Sequence, residues 1–213
     1  IEGIIAKGGM GVVYKAIHPS LKRYVVIKKM TARGNAANAE RFKREAQILL
    51  DLQSPYIVHL FDYFTEGGFR YMVEELVDGM ALDKLLNRQK ILPPQLALLI
   101  LQDACFALKY AHSKDIVHRD IKPGNILISK RSEIKLADFG IASGEKEQNE
   151  PSLTQSGIAL GTPAYMPPEQ YENSSKVDQR ADIYALGVML YEMVTGTKPY
   201  PGTLSAETLN LIH

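Results

Sequence analysis

The pattern of hydrophobic residues changes at Asp78 and Gly79, and this change limits the folds that the chain can adopt. Before it, β-branched and aromatic residues form short runs separated by turns, as in antiparallel strands; these runs span residues 1–5, 11–17, 24–30, 56–64 and 69–76. One helical pattern, residues 38–52, interrupts them. After Gly79 the apolar residues recur at helical spacing, over residues 82–88, 93–113 and 182–195. The sequence therefore predicts an α+β fold with a β-rich N-terminal lobe and a helical C-terminal lobe.

Two of the helical patterns are expected to build the core of the second lobe. The longest begins at Pro93 and Pro94, where proline suits the first helical turn. The pattern over residues 182–195 is nearly all apolar and is followed by Gly196, a typical helix end. The buried face predicted for the longest helix consists of Leu96, Leu99, Ile100, Ala104, Ala107, Leu108 and Ala111.

Composition excludes several classes of function. Among 213 residues, 25 Lys and Arg side chains oppose 24 Asp and Glu, which leaves a net charge of +1. This balance gives no electrostatic basis for binding nucleic acid or an anionic membrane. Cys105 is the single cysteine, so an internal disulfide and a multi-cysteine zinc site are excluded. We expect a cytoplasmic protein, or the cytosolic part of a longer, membrane-anchored one, with no membrane segment in this chain.

Both ends are expected to be cut from a longer polypeptide. The chain begins at Ile1 within an apolar stretch, without a methionine. Residues 204–213 begin a helical pattern that stops without a cap. The C-terminal lobe is therefore expected to be truncated.

A glycine-rich segment near the N terminus is the first candidate binding site. It reads Ala6-Lys7-Gly8-Gly9-Met10-Gly11 and lies between two predicted strands. Glycines let the backbone approach a ligand closely and point N–H groups at phosphate oxygens, although a tight turn explains them equally well. Lys28 and Glu45, on the following strand and helix, could together hold a polyphosphate chain or could be ordinary surface charges.

Two further motifs decide between these alternatives. They are His118-Arg119-Asp120-Ile121-Lys122-Pro123-Gly124-Asn125 and Asp138-Phe139-Gly140. With them, the sequence resembles the eukaryotic-type (Hanks-type) protein kinase family from residue 1 to its end. The resemblance implies a bilobal kinase fold with an N-terminal lobe at 1–75, a hinge at 76–79 and a C-terminal lobe at 80–213. The ordered motifs that carry it are the glycine loop, Lys28, Glu45, Asp120, Asn125, Asp138, Pro167-Pro168-Glu169 and Asp182.

The resemblance implies a Ser/Thr protein kinase that transfers the γ-phosphate of ATP to protein hydroxyl groups. Asp120 is expected to accept the proton of the substrate hydroxyl. Lys122 is expected to reach the migrating phosphate, and Lys at this position resembles Ser/Thr-directed more than Tyr-directed kinases. Lys28 would bind the α- and β-phosphates while Glu45 fixes its orientation. The expected Mg²⁺ ligands are Asn125 and Asp138.

The resemblance also implies a nucleotide site. Val13 and Val26 would cover one face of the adenine and Leu127 the other. The backbone of Glu75 and Val77, in the hinge, would pair with the adenine edge. The residues expected to contact ATP are Ala6, Gly8, Gly11, Val13, Val26, Lys28, Glu75, Val77, Leu127 and Asp138.

The sequence departs from the family pattern without losing a catalytic group. Ala6 replaces the first glycine of the loop, Val26 stands where Ala is common, and Pro167 replaces an Ala. Glu74 falls at the position that gates the back pocket, where an apolar residue is more usual. Glu169 normally pairs with an Arg in a later helix, and no Arg follows Arg180, so an unpaired buried carboxylate is expected.

Within the family, the glycine loop and the stretch Gly161-Thr162-Pro163-Ala164-Tyr165-Met166 look like those of bacterial Ser/Thr kinases. Thr162 would line the substrate site. Arg119 would anchor a phosphate on the segment between Asp138 and Glu169. Autophosphorylation is expected in that segment at Thr154, Ser156 or Ser152.

Two other functions remain open at the level of sequence. A nucleotide-binding pseudokinase would be favoured by loss of Lys28, Asp120, Asn125 or Asp138, and all four are present. A small-molecule kinase of the same fold is opposed by Lys122 and by the substrate segment that ends at Glu169.

Overall fold

The computed structural model describes residues 1–8, 11–30, 36–139, 163–172 and 177–200. The chain divides into two compact units, Ile1–Asp78 and Gly79–His213. The division falls within the segment 76–79 that the sequence assigns to a hinge, and the hinge itself stays a prediction.

The first unit is an antiparallel sheet with one helix. Its strands are β1 (Gly3–Gly8), β2 (Gly11–Ile17), β3 (Tyr24–Met30), β4 (Leu60–Glu66) and β5 (Phe69–Glu75), in the spatial order β1-β2-β3-β5-β4. Helix α1 (Ala36–Leu50) packs on β4, where the ring of Phe42 meets the edge of Tyr63 at 6.0 Å. On the sheet, Ala16, Val25 and Val73 form a buried cluster. β-branched residues at alternate positions supply this face, as the period of a strand requires.

Within its described residues, the second unit combines four α-helices with a small sheet. Strands β6 (Gly79–Ala81), β7 (Ile126–Ser129) and β8 (Ile134–Leu136) pair in that order. The helices are α2 (Leu82–Gln89), α3 (Pro94–His112), α4 (Pro168–Glu172) and α5 (Arg180–Thr195), of which α4 has only five residues. Large buried side chains from these elements form the core: Leu82, Leu92, Ile100, Leu108, Ile126, Leu136, Met189 and Met193.

Helix α5 is central, as its apolar sequence predicts. Met189 and Met193 are fully buried. The helix ends at Gly196, whose φ of 74° is left-handed and whose N–H donates to the Glu192 carbonyl at 2.8 Å. Among the described residues, no helix combines the length and hydropathy needed to cross a membrane.

Some element boundaries differ from the sequence predictions. Strand β4 begins at Leu60 and not at Tyr56, because residues 54–57 form a turn in which the Ile57 N–H donates to the Ser54 carbonyl at 3.2 Å. The predicted buried face of α3 is correct at Ile100, Ala104, Ala107, Leu108 and Ala111. It is wrong at Leu96 and Leu99, which are 38% and 60% exposed, and the small Ala97 is buried in their place.

Candidate active site

Lys122 and Asn125 both contact Asp120 in the second unit. The Lys122 ammonium donates to Asp120 Oδ2 at 2.7 Å. The Asn125 amide nitrogen donates to the Asp120 backbone carbonyl at 2.7 Å and to Oδ2 at 3.1 Å. A single turn of 3-10 helix, Pro123–Asn125, brings Asn125 back toward Asp120. The predicted base, the predicted phosphate-binding lysine and one predicted metal ligand therefore form one cluster.

The His118 side chain holds the backbone of Asp120 by a hydrogen bond. The Asp120 N–H donates to His118 Nδ1 at 3.2 Å, so Nδ1 carries no proton. The proton is therefore on Nε2, which lies 2.9 Å from the Ala137 carbonyl and donates to it. His118 is fully buried and contacts the ring of Phe139. Burial lowers the pKa of His118, an effect that the nearby Asp182 carboxylate only partly opposes, so the imidazole stays neutral.

Asp182, in the first turn of α5, fixes the same segment from the other side. Its carboxylate accepts the backbone N–H of His118 at 2.9 Å and that of Arg119 at 2.8 Å. It also lies 2.8 Å from Nε2 of His112 at the end of α3. Asp182 is 1% exposed. These bonds hold Arg119 at a φ of 65°, a left-handed conformation that non-glycine residues adopt only where the surroundings impose it.

The expected metal ligands lie at one end of the β7–β8 hairpin. Ile126 pairs with Leu136, and the Ala137 N–H donates to the Asn125 carbonyl at 2.9 Å, so Asp138 follows directly after this pairing. Both hydrogens of the Asn125 amide face Asp120 acceptors, which leaves its side-chain oxygen for a cation. An amide oxygen and a carboxylate are ligands that Mg²⁺ accepts. The residues present therefore fit a magnesium site.

In the first unit, the residues expected to bind nucleotide share one face of the sheet. The register pairs Ala6 with Val13, Gly8 with Gly11 and Val13 with Lys28. Directly opposed residues of an antiparallel pair point to the same face. Val26, two residues before Lys28, joins them by the period of two. The set that the structure places on this face is Ala6, Gly8, Gly11, Val13, Val26 and Lys28.

Lys28 has a partner that the sequence did not suggest. Its ammonium lies 2.7 Å from Glu74 Oε2, on the neighbouring strand β5. Glu45 is half-buried on α1, between the buried Phe42 and Ala46. The pairing of Lys28 with Glu45 stays a prediction.

The remaining nucleotide contacts also stay predictions. The Glu75 N–H donates to the His59 carbonyl at 2.9 Å, so the carbonyl of Glu75 is the group it could offer to an adenine edge. Val77 is half-buried in the first unit. Leu127 is half-buried on β7, in the second unit.

A concave surface adjoins Asp120 in the second unit. It is lined by Tyr165, Met166, Pro167 and Gln170, among others. The Gln170 amide donates to the Arg119 carbonyl at 3.0 Å, and the Tyr165 hydroxyl donates to Glu192 on α5. Burial, together with Glu192, raises the pKa of Tyr165 far above its usual value, so the phenol remains a hydrogen-bond donor. The segment that was expected to bind substrate is thus fixed to α5.

One expectation about this segment is wrong. Glu169 was expected to be a buried carboxylate without its arginine, yet its side chain is exposed. Solvent therefore removes the predicted penalty. Several predictions lie outside the described residues: Gly9, Met10, Gly140, Ser152, Thr154, Ser156, Gly161, Thr162 and the helical pattern at 204–213.

The comparisons with known proteins identify the family. The protein kinase domain model matches residues 1–212, and the chain belongs to this family. Serine/threonine-protein kinase PknH of Mycobacterium bovis is 41% identical over 100% of this chain and 35% of its own length. PknL of the same species is 37% identical, over 95% of this chain and 50% of its own length. The chain thus spans about a third to a half of these curated relatives.

A solved structure shows the same architecture. The crystal structure of Rad53 in complex with AMP-PNP has a TM-score of 0.79 to this chain at 27% identity, covering 100% of this chain and 52% of that one. The predicted bilobal kinase fold and the predicted kinship with bacterial Ser/Thr kinases are therefore confirmed.

Proposed function

We propose that this chain is the catalytic domain of a Ser/Thr protein kinase, which transfers the γ-phosphate of ATP to protein hydroxyl groups. The observation that carries the proposal is the cluster at Asp120. Lys122 and Asn125 both donate to Oδ2. Oδ1 accepts neither of these bonds and is the oxygen that takes the proton of the substrate hydroxyl.

Positioning supports this role for Asp120. In-line phosphoryl transfer depends mainly on orientation and on charge neutralisation. His118 and Asp182 hold the backbone of the Asp120 segment by hydrogen bonds of 2.8–3.2 Å. Lys122, 2.7 Å from the base, is close enough to move to a phosphate oxygen as the proton leaves. Both groups therefore act on the same reacting atoms.

The nucleotide is assigned to ATP with magnesium. Lys28 would bind its α- and β-phosphates, and Asn125 and Asp138 would hold the metal. Magnesium, when bound, neutralises charge on the phosphate oxygens. The Rad53 structure contains AMP-PNP, which supports an adenine nucleotide as the ligand here.

A protein is the proposed acceptor. The concave surface beside Asp120 combines apolar residues such as Met166 and Pro167 with polar ones such as Arg119 and Gln170, a mixture that suits a polypeptide segment. The relatives PknH and PknL are named as serine/threonine-protein kinases. Autophosphorylation at Thr154, Ser156 or Ser152 and action in the cytoplasm, where ATP is supplied, belong to the same proposal.

Replacing Asp120 with Asn tests the proposal. Asn keeps the size of the side chain but cannot take up a proton, so we expect phosphate transfer to a protein substrate to fall by about 10²–10⁴-fold. MgATP affinity should change little. Radiolabelled-ATP transfer and MgATP titration measure the two effects separately.

Asp115→Asn is the matched control, because Asp115 is an exposed carboxylate outside the cluster and its φ of 58° is one that Asn tolerates. It should transfer phosphate like the unaltered chain. Retention of near-full transfer by Asp120→Asn would show that the base is another group.

A further inference from the structure

Glu74 contacts the ammonium group of Lys28 from within the same sheet. Lys28 Nζ lies 2.7 Å from Glu74 Oε2. Only 18% of the Lys28 side chain and 9% of the Glu74 side chain are exposed. Carboxylates are rarely buried to this extent unless a cation pairs with them. Lys28 is therefore a cation that helps to offset the burial of Glu74.

The register of the sheet fixes this pair. Lys28 lies opposite Met72 and Val26 opposite Glu74, so Lys28 and Glu74 are diagonal neighbours on one face. Strand β5 is bonded to β3 on one side and to β4 on the other, where Leu60 lies opposite Glu74. Because both neighbours hold its backbone, Glu74 has little freedom to move away from Lys28.

A fixed carboxylate beside Lys28 reduces the loss of side-chain freedom when Lys28 binds a ligand. The lysine ammonium stands on a flexible four-carbon stem, and ordering such a side chain reduces binding affinity. Glu74 orders it in advance. The ammonium has three donors, so Lys28 can contact Glu74 and phosphate oxygens at the same time.

We propose that Glu74 is a positioning residue that holds Lys28 ready for the nucleotide phosphates. This inference rests on the proposed nucleotide-binding role of Lys28. Glu74 occupies an interior strand of the sheet that also carries Lys28, whereas Glu45 is on helix α1. The hold on Lys28 is therefore built into the sheet itself.

A double-mutant cycle tests this proposal in the full chain. The variants are Glu74→Gln, Lys28→Met and the two combined, and MgATP affinity is measured by calorimetric titration. Glu74→Gln should weaken MgATP binding by about tenfold. In the Lys28→Met background, the same change should alter affinity by less than about twofold, because the residue that Glu74 positions is gone.

A merely structural role for Glu74 predicts a different result. In that case Glu74→Gln would weaken MgATP binding by the same factor in the unaltered chain and in the Lys28→Met background, and this additivity would overturn the proposal. Unchanged MgATP binding in Glu74→Gln would overturn it as well. Glu66→Gln is the control, since Glu66 is an exposed carboxylate on β4. Should Lys28→Met fail to fold with Glu74 buried, Lys28→Gln replaces it, because its amide can still donate to Glu74.

The experiment distinguishes failure of the proposed kinase activity from failure of the proposed positioning role of Glu74. Coupling between Glu74 and Lys28 in a chain that phosphorylates no protein would overturn the activity and support the positioning. Additive effects in an active chain would overturn the positioning alone. A chain that binds no MgATP would overturn both.

Discussion

At the scale of single residues, the two expected metal ligands differ sharply in their surroundings. Asn125 is 5% exposed and donates two hydrogen bonds to Asp120. Asp138 is exposed and has a φ of 60°, a conformation that Asp and Asn tolerate better than most residues. Asn125 therefore supports the fold of the Asp120 segment in addition to its proposed metal role, whereas the Asp138 side chain lies at the surface.

We expect Asn125→Ala and Asp138→Asn to fail in different ways. Asn125→Ala removes both bonds to Asp120 and should lower the free energy of unfolding by about 1–3 kcal/mol. Asp138→Asn retains the left-handed backbone and replaces an exposed side chain, so it should lower the free energy of unfolding by less than Asn125→Ala does. Asp138→Asn should instead lose Mg²⁺-dependent ATP binding. Urea unfolding without nucleotide measures the stability of the two variants, and MgATP titration measures their nucleotide binding. Equal destabilisation by Asn125→Ala and Asp138→Asn would contradict this prediction.

His118 gives the chain a dependence of stability on pH. Burial lowers its pKa below the usual 6.5, so below that pH the unfolded chain binds a proton that the native chain does not. The free energy of unfolding should therefore fall as the pH drops from 7.5 to 5.5, by at most about 1.4 kcal/mol per pH unit. Urea unfolding at several pH values measures it. In His118→Gln, the free energy of unfolding should depend less steeply on pH. An equally steep dependence in this variant would mean that other groups cause it.

Contacts between residues close in sequence could be predicted better than contacts between distant ones. Asp120, Lys122 and Asn125 stand within six consecutive residues, so their cluster is largely a local matter. Lys28 and Glu74 are brought together by the pairing of β3 with β5, and no local pattern specifies that register. For the same reason, His112 could not be matched to Asp182, 70 residues away.

At the scale of elements, two glycines of the same hairpin have different requirements. Gly11 has a φ of 141°, and a Cβ built there would lie 1.9 Å from the Lys29 carbonyl oxygen. A Cβ on Gly8 would meet nothing within 4 Å. Gly11 is therefore needed for the close approach of β2 to β3, whereas Gly8 has room for a side chain.

Gly11→Ala should lower the free energy of unfolding by about 1–3 kcal/mol, because it adds strain and a clash with backbone. Gly8→Ala should stay within about 0.5 kcal/mol of the unaltered chain. Urea unfolding of the two variants side by side checks the difference. Equal effects would mean that β2 and β3 can separate at Gly11 without loss.

The length of an element decided whether the sequence could predict it. The seven-residue strand β3 was predicted over its full length, Tyr24–Met30. Strands β6, β7 and β8 have three or four residues and were missed, because so few residues show no period. On α3, the alanines at 104, 107 and 111 were assigned correctly to the core, but Leu96 and Leu99 were assigned there too, whereas Ala97 is buried in their place. Alanine permits helices to approach closely.

At the scale of the whole molecule, bound nucleotide should stabilise the native chain. A ligand at about 100 times its Kd adds about 2.7 kcal/mol to the free energy of unfolding. We expect MgATP to raise the melting temperature, and ATP with EDTA to have a much smaller effect because Asn125 and Asp138 then lack their ion. Thermal melts with Mg²⁺ alone provide the control. Equal stabilisation with EDTA would contradict the assignment of these two ligands.

The division into two units was visible in the sequence because each unit uses its own periodicity. Alternation at two residues ends before Asp78 and helical spacing follows Gly79, which is where the compact units separate. The burial of Glu169 could not be predicted from periodicity in this way. Whether a carboxylate is buried depends on the packing of distant elements, and Glu169 is exposed.

Asp182 limits which amino acids this position can accept. Its two oxygens receive three donors: two backbone N–H groups, which any residue except proline at 118 and 119 supplies, and the ring of His112. Asparagine has the same shape but offers one acceptor oxygen, and its NH₂ group would face a donor. Glutamate has both oxygens but is longer by one methylene in a site that is 1% exposed. A library randomised at this codon should therefore return aspartate, whatever kinase substrate is used for selection.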